Sequence, residues 1–473
     1  MPPPHVLLRQ RLSDLDANIL HHESILQELK EQRFTLLSEL DLVTYPVLTL
    51  PLEITAEIFK WCIDPDVLLL PATAPLLLTR ICRHWRALAF STPALWDSMN
   101  EIEFGVHPQT ETFIETWFSR AGARPLSLHI VDSLRLYSDA LESVIHRHAS
   151  RLQSLNVMAD LETLTNFAAV QSFPILRKLE LYCLAHSDEE DAGHTIQFFS
   201  IQGAPALRQV CLERVLPSMV SMPWAQLTNM TLAGVPLSEC LDALRWATSL
   251  HEFHRGGSAE EGEQSLSEET PVIHSSLLSL AIFAHDEGDI LPLLTLPCLQ
   301  KLKLGGRFSR YMADPMDDDV VPFLSRISGT LRTFEVGMSP TVPVQWLQPL
   351  TQLTTLELIR PLSLSPPFKT DIIRALDRRT SPDFLPKLQS FVFSECRSDQ
   401  VDDELLDALG SRCDVTDAAH ARLESFSLIW ATFEYPSAAP NARLPLMNVL
   451  PLRALAGRGM RIHIGTRDQN SFY

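Results

Sequence analysis

A six-residue phrase, leucine–x–x–apolar–x–apolar, recurs along this chain and restricts its fold more than any other feature. It reads Leu152-Gln-Ser-Leu155-Asn-Val157, Leu176-Arg-Lys-Leu179-Glu-Leu181 and Leu207-Arg-Gln-Val210-Cys-Leu212. Further copies begin at Leu227, Leu277, Leu299, Leu331, Leu353, Leu388 and Leu423. One broken copy, Leu250-His-Glu-Phe253-His-Arg255, ends on an arginine where an apolar residue is expected. First leucines run from 152 to 423 over ten steps, a mean period of about 27 residues. Within each phrase the apolar residues alternate, which is the period of a strand with one buried face. Segments between phrases, such as Asp139 to His146, carry the helical period instead. The expected fold class is α/β: a solenoid of short parallel strands with helices on one side. Leu126-Ser-Leu128-His-Ile130 is predicted as the first strand and Met460-Arg-Ile462-His-Ile464 as the last.

The period lies within the range of leucine-rich repeats, and residues 110–470 resemble an irregular solenoid of that kind. Such repeats usually carry asparagine or cysteine three residues after the last apolar position. Cys396 fits, whereas Leu184, Val215, Val235 and Arg307 do not, so irregular curvature is expected. Strand residues pointing away from the core should line the concave face, among them Ser154, Asn156, Lys178, Gln209 and Lys301. The candidate substrate face takes in Glu180, Tyr182, Glu213, Phe283, Lys303, Glu335 and Glu357. Both charge signs and two aromatics suit a protein partner of no marked preference. Any one of these residues, taken alone, is more often plain solvated surface.

Residues 6–43 form a second kind of pattern. Leu8, Leu12, Leu15, Ile19, His22, Leu26, Leu29, Arg33, Leu36 and Leu40 alternate in steps of four and three, a heptad seam. His22 and Arg33 are its polar positions. The seam suits a coiled-coil dimer and a helix folded back on the rest of the chain equally well.

Between these two regions lies Tyr45–Met99. It opens with Leu50-Pro51-Leu52-Glu53-Ile54, continues to Ile58-Phe59, and closes with Cys82-Arg83-His84-Trp85-Arg86 and Leu95-Trp96. Pro51 suits a first helical turn, and Thr49 is placed to cap it. Ile54, Ile58 and Trp61, with Phe59 beside them, recur at helical spacing, as do Leu78, Ile81, Cys82 and Trp85 in a second helix. The motif order resembles an F-box, and more narrowly the F-box-like proteins of mushroom-forming fungi, over residues 46–99. That resemblance implies a helical unit that docks on a Skp-type linker protein attached to a cullin scaffold. Leu50, Pro51, Ile54, Ile58, Phe59 and Trp85 would carry the docking, and the solenoid would hold a protein substrate. The chain would then be the substrate-recruiting subunit of a ubiquitin ligase. The alternative is a protein-binding scaffold that never joins a ligase. The segment Asp64–Pro75, with three prolines, is long for a link between such helices.

Composition narrows the remaining classes. The net charge of −19 argues against binding a phosphate backbone, so no nucleic-acid partner is expected. Eight cysteines lack any C-x-x-C pair and read as small buried hydrophobes of a reducing compartment. No secretory signal and no membrane span are visible, so cytosol or nucleus is expected. His146 and His148 face apart on a helix. The acidic runs at 186–191 and 317–319 lack calcium-loop spacing and read as solvated loops. Residues 256–269 read as an acidic insertion. No catalytic residue, metal site or cofactor is therefore expected, and the chain is not expected to be an enzyme.

Overall fold

The computed structural model describes residues 4–41, 46–64, 70–103, 109–132, 138–160, 163–164, 172–184, 203–257, 270–283, 290–305, 317–337, 344–359, 366–396, 401–413, 420–430 and 446–466. The chain divides into two compact units, Met1–Trp96 and Asp97–Tyr473.

The first unit opens on α1 (Pro4–Asp41), a continuous helix of 38 residues. Every described side chain from Val6 to Glu39 is exposed, the seam leucines included. A 3-10 turn, Pro46–Thr49, then leads to α2 (Leu52–Trp61), α3 (Leu78–Ile81) and α4 (Arg83–Phe90). The Thr49 hydroxyl turns back to the Pro46 carbonyl at 2.7 Å, so it does not cap α2. Pro51 holds the cap position with φ −52° and ψ 145°, and its carbonyl accepts from both the N–H and the hydroxyl of Thr55. The second predicted helix is two helices. Cys82 breaks it in an extended conformation, and its sulfur accepts from the Trp85 N–H at 3.4 Å, a place usually taken by a side-chain oxygen. Leu95 and Trp96 close the unit from inside, and the Trp96 indole donates to the Ala89 carbonyl at 2.8 Å.

The second unit is mixed α/β and is built on a fourteen-stranded parallel sheet. Its strands are β1 (Ser98–Glu103), β2 (Leu126–Val131), β3 (Leu152–Ala159), β4 (Lys178–Cys183), β5 (Gln209–Glu213), β6 (Asn229–Ala233) and β7 (Glu252–Arg255). A small pair, β8 (Val272–Ile273) and β10 (Leu294–Thr295), stands apart from it. The main sheet continues through β9 (Ser279–Ile282), β11 (Lys301–Leu304), β12 (Thr333–Gly337), β13 (Thr355–Ile359), β14 (Ser390–Cys396), β15 (Ser425–Trp430) and β16 (Arg461–Gly465). Strands neighbour one another in chain order throughout, and every copy of the phrase is a strand.

Register aligns the apolar positions into continuous rows. One runs Leu155, Leu179, Val210, Met230, Phe253, Leu280, Leu302, Phe334, Leu356, Phe391, Phe426 and Ile462, all buried. Arg255 takes its place in the next row, between Leu232 and Ile282, and is buried there. Its guanidinium donates to the Cys240 sulfur at 2.7 Å. Val215 and Val235, standing where asparagine or cysteine is common, are buried and extend the core.

Three expectations about the elements of the sheet unit need correction. The first strand is β1, one repeat earlier than predicted; its register slips between Met99 and Ile102, with Glu101 at φ 44°, so its apolar pair breaks the alternation. Helices do cover many crossovers: α5 (Thr110–Arg120) buries Ile114, Trp117 and Phe118, and α6 (Ser138–His148) buries Leu141, Val144 and Ile145. Between β5 and β6, however, the chain is too short and proline-rich, and only 3-10 turns at Pro217–Met219 and Trp224–Gln226 bridge the strands. Asp317 to Asp319 form the first turn of a helix, Asp317–Ile327, because Val320, Phe323, Leu324 and Ile327 supply a buried helical stripe. Residues 186–191 and 258–269, and Arg307, lie outside the described residues.

A single arginine ties the last third of the sheet unit together. Arg412, at the end of the helix Asp403–Ser411, is buried and donates to three carbonyls: Leu376 at 2.6 Å, Phe384 at 2.6 Å and Leu385 at 3.0 Å. Burial, with a lesser contribution from Arg378, pushes its pKa down to about 10, which leaves it charged at neutral pH.

Candidate functional site

Two surfaces collect the sequence-predicted residues. The first is α2. The spacing puts Ile54, Ile58, Trp61 and Phe59 on one broad face, but the fold splits them. Thr55 and Phe59 face the interior, Phe59 at 1% exposure, while Ile54 and Ile58 stay exposed at 51% and 44%. Trp61, three residues beyond Ile58, is 84% exposed, and Leu50 and Leu52 are exposed as well. Ile54, Ile58 and Trp61 thus form an uncovered apolar row on a helix of ten residues. Phe59, expected among the docking residues, is buried inside the unit. Its ring meets Trp85 edge-on at 4.9 Å and 62°, and the pair forms the centre of the unit. Trp85 itself is half-buried, with its indole nitrogen enclosed. Pro51 and Leu50 are exposed at the helix start.

The second surface is the polar face of the sheet. Parallel register stacks side chains from successive strands into ladders. One reads Asn156, Glu180, Cys211, Thr231, His254, Ala281, Lys303, Glu335 and Glu357. Another reads Ser154, Lys178, Gln209, Asn229, Glu252, Ser279, Lys301, Thr333 and Thr355. The candidate residues fall in two groups separated by β6 and β7. On one side Glu180 accepts from Asn156 and pairs with Lys178, both at 2.9 Å, and the Cys211 thiol contacts the Tyr182 hydroxyl. Glu213 stands beside Tyr182 at the strand ends. On the other side Glu335 is held by Lys301 at 2.6 Å and Lys303 at 3.1 Å, and the Ser394 hydroxyl donates to Glu357 at 2.6 Å. Phe283, exposed just past β9, lies against the His254 ring and under the Lys303 ammonium.

Sequence reasoning missed Cys211, Asn229, Thr231, Glu252 and His254, which line a shallow depression of about 190 Å³ with Lys178, Glu180 and Gln209. They occupy the same offsets in the phrase as the residues it did name, so the offset rule finds them. Asn229 donates to Glu252 at 2.5 Å within this depression. Burial pushes the Cys211 thiol up to about 11, so it stays protonated at neutral pH. Burial likewise raises the Tyr182 hydroxyl and lowers His129 and His254, leaving both imidazoles neutral at pH 7. A larger cleft of about 530 Å³ lies among the late helices, lined by Arg378, Arg379, Asp407 and Arg458; there Arg379 is paired with Asp377 and Asp407. Among the described residues no three His, Cys, Asp or Glu side chains converge to hold a metal ion, and no helix is long and apolar enough to cross a membrane. The polar face thus presents pre-paired charges, amides and hydroxyls.

Glu335 offers a direct test of that pairing. Burial alone would raise its pKa, but hydrogen bonds and charge from Lys301 and Lys303 outweigh burial and hold it below the usual carboxylate range. Its stabilising contribution is present above the unfolded carboxylate pKa and is lost as pH falls through the lower folded value. Glu335→Gln should cost about 1 kcal/mol at pH 7, since Lys301 is half exposed and screened. Thermal melts should show the gap between wild type and variant closing below about pH 4.

Compared with models of known protein families and with curated proteins, the chain matches none.

Proposed function

We propose that this chain is a non-catalytic substrate-recruiting subunit of a ubiquitin ligase of the Skp–cullin–F-box type. In this reading α2 docks on the Skp-type linker, the cullin scaffold follows from the linker, and a protein substrate lies on the polar face of the sheet. The sheet and its crossovers are then an irregular leucine-rich-repeat-like solenoid, working in cytosol or nucleus. Rate enhancement comes from proximity: a bound substrate's lysines are held at high effective concentration near the conjugating enzyme.

The observation that carries the reading is the uncovered apolar row of α2, in a segment whose motif order resembles an F-box. Burying each large side chain of that row against a partner contributes about 1.5–3 kcal/mol. The polar ladders support the second half, because they offer paired charges and amides over many strands with no reactive group among them.

Binding of the full chain to a purified Skp-type linker tests this. Ile54→Asp combined with Ile58→Asp should weaken binding by roughly 100-fold or more. Circular dichroism and melting should stay unchanged, since both positions are exposed. A folded double variant that still binds places docking elsewhere. A wild-type chain that binds no linker leaves a scaffold outside any ligase.

A further inference from the structure

We propose that α1 joins two copies of this chain as an antiparallel coiled coil. The helix exposes its whole described seam, so no described residue covers it. Steps of four and three put Leu12, Ile19, Leu26 and Arg33 at a positions and Leu8, Leu15, His22, Leu29 and Leu36 at d positions.

Orientation follows from the polar residues. In a parallel pair identical positions stack, so Arg33 would face Arg33 and His22 would face His22 inside the seam. In an antiparallel pair, positions reflected about residue 24 face each other. Leu12 then meets Leu36, Ile19 meets Leu29, Leu15 meets Arg33 and His22 meets Leu26. Every layer sets an a residue against a d residue, and each polar side chain lies along a leucine while its head reaches water.

The flanks agree. Antiparallel helices bring g positions together: Arg11 meets Glu39, Asn18 meets Gln32, and Ile25 meets itself on the two-fold axis. The e positions pair Asp16 with Lys30 and Arg9 with Leu37, and leave Glu23 against Glu23 as a like-charge contact on the axis. A parallel pair keeps only Arg11 with Asp16 as an attraction and sets Ile25 against Lys30 and Gln32 against Leu37. Charge complementarity therefore selects the antiparallel dimer, whose isologous symmetry closes at two copies.

The experiment uses the full chain in sedimentation equilibrium at micromolar concentration. The wild type should sediment at twice 53.2 kDa and Ile19→Asp at 53.2 kDa, with the sheet's melting unchanged in both. Arg11→Glu and Glu39→Arg should each weaken dimerisation several-fold, and combining both in one chain should restore it. A monomeric wild type, a trimer or larger, or a dimer indifferent to Ile19→Asp overturns the proposal. Loss through Arg11→Glu that Glu39→Arg does not rescue overturns the orientation, since a parallel dimer pairs Arg11 with Asp16.

Discussion

Phe59→Ala should unfold the small helical unit while the parallel sheet keeps its structure. The side chain is almost fully enclosed and meets Trp85 edge-on at 4.9 Å. Removing a buried phenylalanine costs roughly 3–5 kcal/mol. A unit of three short helices has little more stability than that to lose. Tryptophan emission should shift to the red and the unit's unfolding transition should disappear, whereas the sheet's transition should remain. Ile58→Ala, one residue away but exposed, should change stability by no more than about 0.5 kcal/mol. Equal effects at the two positions would show that α2 is rotated from the orientation described.

Arg412→Ala should be among the most damaging single changes in the sheet unit. It removes the donors to the Leu376, Phe384 and Leu385 carbonyls together. Buried carbonyls left without donors cost about 1–3 kcal/mol each, and breaking a buried charged network typically costs about 3–5 kcal/mol in all. Leu385 sits at φ 45°, a conformation a leucine adopts only when its surroundings impose it, and its carbonyl is held by Arg412 together with the Leu388 N–H, so Leu376 and Phe384 lose most in the variant. Arg412→Lys should recover little, because one ammonium cannot reproduce a planar fork that reaches three acceptors. Denaturant unfolding should show a lower midpoint at an unchanged slope. A loss under 1 kcal/mol would mean that the clamp adds nothing to stability.

Much of this architecture was legible because strand burial has a period of two and the phrase repeats it. Even the deviant copy was informative: Arg255 occupies the core position its offset assigns, and pairs there with Cys240. The strand β1 escaped notice because its extra residue between Met99 and Ile102 removes the alternation on which recognition depends. On α2, spacing put Ile54, Ile58, Trp61 and Phe59 on one broad apolar face, whereas the fold turns Phe59 inward and leaves the other three exposed. Only the position of Trp85, brought near by the break at Cys82, decides that. The break was hidden because a cysteine seldom marks a helix start. The ladders on the polar face were visible as offsets, but which rungs pair depends on register across strands.

Strand order equal to chain order has a dynamic consequence. Each strand of the main sheet leans only on those immediately before and after it, so opening of the backbone spreads stepwise rather than all at once. The terminal strands β1 and β16 each have a single neighbour, and amide protons there exchange soonest, with protection deepening towards the middle of the array. If the proposed substrate lies across central rungs, it would rest on the slowest-opening strands of the sheet, while the ends could fray and reseal without releasing it.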